Sequence, residues 1–178
     1  KGANDSLTPR AVERAATLLK RADLIVLQLE VPLETVYHTI RFARKNDLRV
    51  LLNPAPAAPL SLEQLSGVTY LIPNEIEAEA ISLKSVTTIG DAQESARELV
   101  ARGFPRVVLT LGERGAILAG ADGAQHLPAS KVETVDTTGA TGHQFATVFS
   151  ENSATGFGAT YQGVVSSPVN VAPENPTR

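Results

Sequence analysis

The chain has 178 residues, 43 % of them apolar and 20 % charged, with a net charge of −3; this suits one ordinary globular domain, or part of a larger one, and excludes global disorder. It has no Cys, which excludes a disulfide framework, a zinc-thiolate site and a cysteine nucleophile. There is no block of Lys or Arg interleaved with aromatics, and no apolar run near the ~18 residues of a membrane span, so neither nucleic acid nor a bilayer is the expected partner.

Along the chain, two hydrophobic periods alternate. Thr8-Pro9 reads as an N-cap with Pro at the first helical position, and Val12, Ala15, Ala16 and Leu19 follow at helical spacing. Leu24 to Leu29 is a run expected of a strand buried on both faces. Leu33, Val36, Tyr37, Ile40 and Ala43 form the next helical stripe, and Val50-Leu51-Leu52 a second strand ended by the turn Asn53-Pro54-Ala55-Pro56. A short helix around Ser61–Leu65 leads to a third strand, Val68–Ile72. Helices at about Asn74–Leu83 and Gly90–Arg102 and a fourth strand, Val107–Leu111, complete the alternation. Such alternation predicts right-handed βαβ units and an α/β fold whose mainly parallel sheet is covered on both faces. Ala116–Ala119 and Ala124–Leu127 flank Gly120-Ala121-Asp122-Gly123 and read as a hairpin. From His143 to Arg178 only Glu151, Glu174 and Arg178 carry charge, so this tail is expected to form loops, short strands or disorder.

In an open α/β sheet, ligands bind beyond the carboxyl ends of the strands. Those ends are Gln28-Leu29-Glu30, Asn53, Pro73-Asn74-Glu75-Ile76-Glu77 and Thr110-Leu111-Gly112-Glu113-Arg114-Gly115. The stretch Val132–Val135 ends at Asp136-Thr137-Thr138-Gly139-Ala140-Thr141-Gly142. Each has a purely structural reading. Glu30 reads as a solvated charge, Asn53-Pro54 as a turn starter, and Asn74 as a helix cap with Glu75 and Glu77 at the favourable end of the helix dipole. The Gly- and Thr-rich segment 136–142 also suits an anion at a helix start, where free N–H groups converge.

Taken together, and in this order, Gly2-Ala3-Asn4, Leu7-Thr8-Pro9, Gln28 to Glu34, Leu52 to Ala57, Pro73 to Glu79, Thr110 to Gly115 and Val135 to Ala140 resemble the ribokinase family of carbohydrate kinases, the phosphofructokinase-B type. Within it they are closer to ribokinases than to adenosine kinases or fructokinases. The resemblance covers residues 1 to about 140. It implies a three-layer, Rossmann-like α/β/α fold, incomplete in this chain, and ATP-dependent phosphorylation of D-ribose or a close sugar at the 5-hydroxyl. It also implies Mg2+ and K+ as cofactors, a cytoplasmic location and a homodimeric parent enzyme. By resemblance, Glu30 binds sugar hydroxyls, and Asn53, Thr110, Leu111, Gly112, Glu113, Arg114 and Gly115 serve the nucleotide. Asn74 and Glu77 match a magnesium and phosphate motif, Asp136 and Thr138 a monovalent-cation site, and Gly139 and Ala140 the anion hole.

The pattern departs at the base. The family continues Gly-Ala-Gly-Asp, whereas here Gly139-Ala140 is followed by Thr141-Gly142-His143. Gly142 stands at the Asp position, or His143 does if one residue is inserted. A partial kinase domain over residues 1–142, an atypical tail over 143–178 and weak or absent turnover are therefore expected. A chain with no Met that begins at Lys1, lacks the family's first region and changes composition at His143 is expected to be a piece of something longer, with an altered C-terminus. Two other readings compete. One is a non-catalytic nucleotide-binding remnant. The other is an NAD(P)-binding module, since Thr138 to Gln144 also looks like the fingerprint of short-chain reductases. That fingerprint belongs after the first strand of its fold, and here it lies late in the chain.

Overall fold

The computed structural model describes residues 2–129 and, as backbone, two short strands further on. By compactness the chain divides into two units, Lys1–Lys131 and Val132–Arg178. In the first, α1 (Pro9–Arg14) and α2 (Ala16–Leu19) lead to strand β1 (Leu24–Leu27). Helix α3 (Leu33–Lys45), β2 (Arg49–Leu52), a 3-10 turn (Leu62–Leu65), β3 (Tyr70–Leu71), α4 (Glu75–Ser82), α5 (Ile89–Ala101) and β4 (Arg106–Thr110) follow. The antiparallel hairpin is β5 (Ala116–Gly120) and β6 (Gly123–Leu127). In the second unit, β7 (Ser150–Asn152) pairs antiparallel with β8 (Gly156–Gly158). The stretch Val132–Val135, with Asp136, Thr138, Gly139, Ala140, Gly142 and His143, lies outside the described residues.

The six strands of the first unit lie in sequence order, β1 to β4 parallel and β5 and β6 antiparallel. Right-handed crossovers that always step the same way along a sheet must all pass over the same face. The buried core obeys this. Ile25, Val50, Leu52, Leu71, Val107, Leu109 and Ile117 alternate along the strands on one face, and they share a single cluster with Val36 and Ile40 of α3, Ala78 and Ile81 of α4, and Ala96 and Leu99 of α5. The described helices thus supply one of the two helical layers expected, with α1 packed on α3.

Strand β1 corrects one expectation. Among the described strands it stands at the sheet's edge, and Val26, on the face away from the helices, is 66 % exposed instead of doubly buried. The described helices pack on the other face, and an apolar run marks a strand as fit for burial without saying what covers each of its faces. The first helical stripe is also interrupted. Ala15 leaves helical geometry at φ −88°, ψ 2°, and its N–H is shared between the carbonyls of Ala11 and Val12, so the expected helix is split into α1 and α2. Thr8 precedes Pro9 as an extended N-cap, yet its side chain makes no capping bond.

Helices α4 and α5 each start with a reciprocal capping box, the pattern in which an N-cap side chain and the side chain three residues on bond each other's backbone N–H. The pairs are Asn74 with Glu77 and Thr88 with Asp91. Among the described residues, no helix is long and apolar enough to cross a membrane.

Candidate active site

The carboxyl ends of the parallel strands bring the candidate residues to one edge of the sheet. Asn53 directly follows β2, and its N–H donates to the carbonyl of Leu27 (2.9 Å), which ties the strand ends of β1 and β2 together. The N–H of Leu29 donates to the carbonyl of Ala55 (2.8 Å), so the segment carrying Glu30 lies against the turn that follows Asn53. Glu30 and Asn53 are both exposed. Glu30 has a long contact, 3.5 Å, from the Gln28 side chain.

The ends of β3 and β4 are bound more tightly. Asn74 and Thr110 form a parallel bridge beyond both strands, and the N–H of Thr110 donates to the carbonyl of Pro73 (2.9 Å). This places the Asn-x-x-Glu segment directly beside the Thr-Leu-Gly segment. Glu77 is only 4 % exposed, and both of its carboxylate oxygens accept from Asn74. Oε2 takes the backbone N–H and Oε1 the side-chain amide, each at 2.9 Å, while the Asn74 amide oxygen accepts from the N–H of Glu77. A buried carboxylate needs such donors, because leaving one unpaired costs several kcal/mol, about 3–5. The capping role read for Asn74 is therefore realised, and Glu77, read as a charge at the helix dipole, caps in return.

Thr110 to Gly115 form a closed loop. The N–H of Leu111 donates to the carbonyl of Gly115 (2.8 Å), that of Arg114 to Leu111 (3.1 Å) and that of Gly115 to Gly112 (3.0 Å). Leu111 is 2 % exposed and packs in the core, so its side chain is not available to a ligand, and only its backbone belongs to the site. Glu113 is exposed. The two glycines differ. Gly115 has φ +95°, and a Cβ there would clash with the carbonyl oxygen of Leu127. Gly112 has φ +56°, and among the described residues a Cβ there would meet nothing within 4 Å. Gly115 is required by packing inside the protein, while no described residue fills the space beside the Gly112 backbone.

The Arg114 side chain lies at the surface and bridges to other elements. Its Nη1 donates to the carbonyl of Thr87 (2.7 Å) and its Nη2 to Oε1 of Glu75 (2.8 Å). Nε2 of His126, on β6, lies 2.7 Å from the Arg114 carbonyl; a carbonyl only accepts, so Nε2 carries the proton. Glu75 lies in a strand-end stretch singled out in the sequence, but as a partner of Arg114 neither it nor Thr87 or His126 could be read there, since their separations from Arg114 give no local signal.

Among the described residues, no group of three or more acidic or His side chains could hold a bare metal ion. A groove of about 330 Å³ lies elsewhere, lined by residues of α1 to α3 that include Lys20, His38, Arg41 and Lys45, and it contains none of the candidate residues. The sheet edge is the stronger candidate, because several strand ends converge there.

Residues 1–152 match the family model described as "pfkB family carbohydrate kinase", which reaches past Gly142 and His143. A deoxyribokinase of Salmonella typhi is 45 % identical over 141 residues, which is 79 % of this chain and 46 % of that protein. A crystal structure of ribokinase from Thermotoga maritima superposes with a TM-score of 0.64 at 32 % identity, covering 76 % of this chain and 44 % of that one. A structure of Arabidopsis thaliana ribokinase complexed with ribose and ATP gives a TM-score of 0.65 at 22 % identity, covering 71 % and 42 %. The chain spans about half the length of the relatives it matches. With residues 1–152 of its 178 matching the family model, this chain belongs to the pfkB family of carbohydrate kinases.

Proposed function

We propose that this protein serves an ATP-dependent pentose kinase, one that transfers the γ-phosphoryl group of ATP to the 5-hydroxyl of ribose or a close pentose such as deoxyribose. In this reading the kinase portion runs over residues 1–142, with the low-charge residues 143–178 outside it. It carries with it a cytoplasmic location and a homodimeric enzyme. One observation carries the reading: the bridge between Asn74 and Thr110, which sets the Asn-x-x-Glu segment against the Thr-Leu-Gly loop at the carboxyl edge of the sheet.

Phosphoryl transfer is largely a matter of positioning phosphates and neutralising charge. Gly112 offers a backbone that no described residue crowds, where a nucleotide can approach closely. Asn53 and the start of α4 line the same edge, on the phosphate side, and Glu30 beside them presents a carboxylate to sugar hydroxyls. The oxygen donors of Glu77 and Asn74 suit Mg2+, which keeps most of its waters and binds through few carboxylates. Because Glu77 is already held by two bonds from Asn74, it would act on a hydrated ion through water. Bound with ATP, magnesium neutralises charge on the phosphates. A monovalent cation at Asp136 and Thr138, and the anion hole at Gly139 and Ala140, belong to the same proposal. The residue that takes the proton from the sugar hydroxyl is absent in type, since Gly142 or His143 stands at its position. ATP binding with weak turnover is the result.

Calorimetry with MgATP, together with a coupled assay of phosphate transfer to ribose and to deoxyribose, tests this. The chain is expected to bind MgATP and to turn over either sugar slowly or not at all. Absence of MgATP binding would overturn the proposal.

A further inference from the structure

We infer that Arg114 is a positioning residue, a clamp that holds the Thr110–Gly115 loop in its nucleotide-ready shape by joining it to the starts of α4 and α5; in its link to ATP this rests on the function proposed above. The loop belongs to β4, yet the Arg114 guanidinium reaches two other elements with two different nitrogens. Nη2 meets Glu75, the first residue of α4 and the neighbour of Asn74. Nη1 meets the carbonyl of Thr87, the residue before the N-cap of α5. One planar fork thus fixes three segments in one geometry, a task that suits Arg and that Lys, with a single charged point, cannot fill from both sides.

The partners are themselves anchored. The Thr87 N–H and hydroxyl both donate to Asp91, so the carbonyl that Arg114 grips is held from behind. Glu75 sits in the first turn of α4, where the helix dipole favours its negative charge. From the other side, His126 grips the Arg114 carbonyl, and the backbone of Leu127 to Ala129 closes over Gly115. Nη1 and Nη2 are each engaged by a protein oxygen, and in the clamp Arg114 bears on the nucleotide through the loop backbone that it holds. The ion pair with Glu75 is partly exposed and adds little by charge alone. What it sets is orientation.

The test uses the full chain and the variants Arg114→Gln, Arg114→Lys and Glu75→Ala. Amide exchange at Leu111, Arg114 and Gly115 reads the clamp, MgATP affinity reads its consequence, and amides of Val108 and Ile117 report global stability. Losing a charge-assisted bond is expected to speed exchange in the loop about tenfold in Arg114→Gln, with a similar loss of MgATP affinity and with Val108 and Ile117 unchanged. Glu75→Ala is expected to give part of both effects. The double variant should add little to Arg114→Gln, because the two residues act through one contact. Arg114→Lys should restore part of the protection and guards against an unfolded Gln variant. Loop exchange that stays at the wild-type rate in both Arg114→Gln and Glu75→Ala would overturn the clamp. So would a loss of affinity in Arg114→Gln with none in Glu75→Ala, which would mark a direct nucleotide contact. If the wild-type chain binds no MgATP while the variants still deprotect the loop, the proposed function fails and the clamp stands.

Discussion

Two helices of this protein start with the same device in different surroundings. At α4, Asn74 and Glu77 cap each other in a buried box beside the Thr110–Gly115 loop. At α5, Thr88 and Asp91 do the same in solvent, with Asp91 also accepting from Thr87. As sequence patterns both are an N-cap residue followed three positions on by an acid. What separates them is where the sheet delivers the helix start: α4 follows a parallel strand at its carboxyl end, and α5 follows a surface turn. A capping motif is thus a structural statement by itself, and the strand before it gives it a chance at function.

The sharpest way to break the contrast is to damage what surrounds only the first box. Gly115→Ala sets a Cβ against the backbone of Leu127 to Ala129 at a positive φ, and is expected to cost more than about 3 kcal/mol in chemical denaturation. Asn74→Ala comes next. It removes the cap and strips the buried Glu77 carboxylate of its side-chain donor, for about 2–3 kcal/mol. Thr88→Ala removes the corresponding group in solvent and is expected to cost about 1 kcal/mol, with MgATP affinity unchanged. If Asn74→Ala and Thr88→Ala prove equal, burial is not what distinguishes the two boxes.

The smallest effect is one of pH. The Thr87 hydroxyl, then the Thr88 N–H, hold the Asp91 carboxyl down to about 2 from its ordinary 3.8. A carboxyl with a depressed folded pKa stabilises the fold above its unfolded value and loses that contribution as pH falls through the folded one. Protection at the start of α5 is therefore expected to hold above about pH 4 and to fall away toward pH 2, and Asp91→Asn is expected to flatten that step. Amide exchange of Thr88 and Asp91 across this window checks it.

Much of the fold was legible because its signals are local. The apolar runs at Val50 and Val107, the stripe of Val36, Ile40 and Ala43, and the turn Gly120 to Gly123 each declare their element within a few residues. The exposure of Val26 was not legible, because it depends on what covers that face of the sheet, which no single strand encodes. The site divides in the same way. Asn74, Glu77, Thr110 and Gly112 stand at strand ends, where the motifs point. The reach of Arg114 was hidden, since Glu75 is 39 residues away in sequence and Thr87 is 27, and only the fold brings them within bonding distance.

If the carboxyl edge of β2 to β4 holds the nucleotide, amide chemical-shift mapping of the full chain on addition of MgATP will show it directly. Shifts are expected to concentrate at Asn53, Asn74 to Glu77 and Thr110 to Gly115, with the start of α5 at Thr88 little changed. Shifts that gather instead around Lys20, Arg41 and Lys45 in the groove beside α3, or no shifts at all, would contradict it.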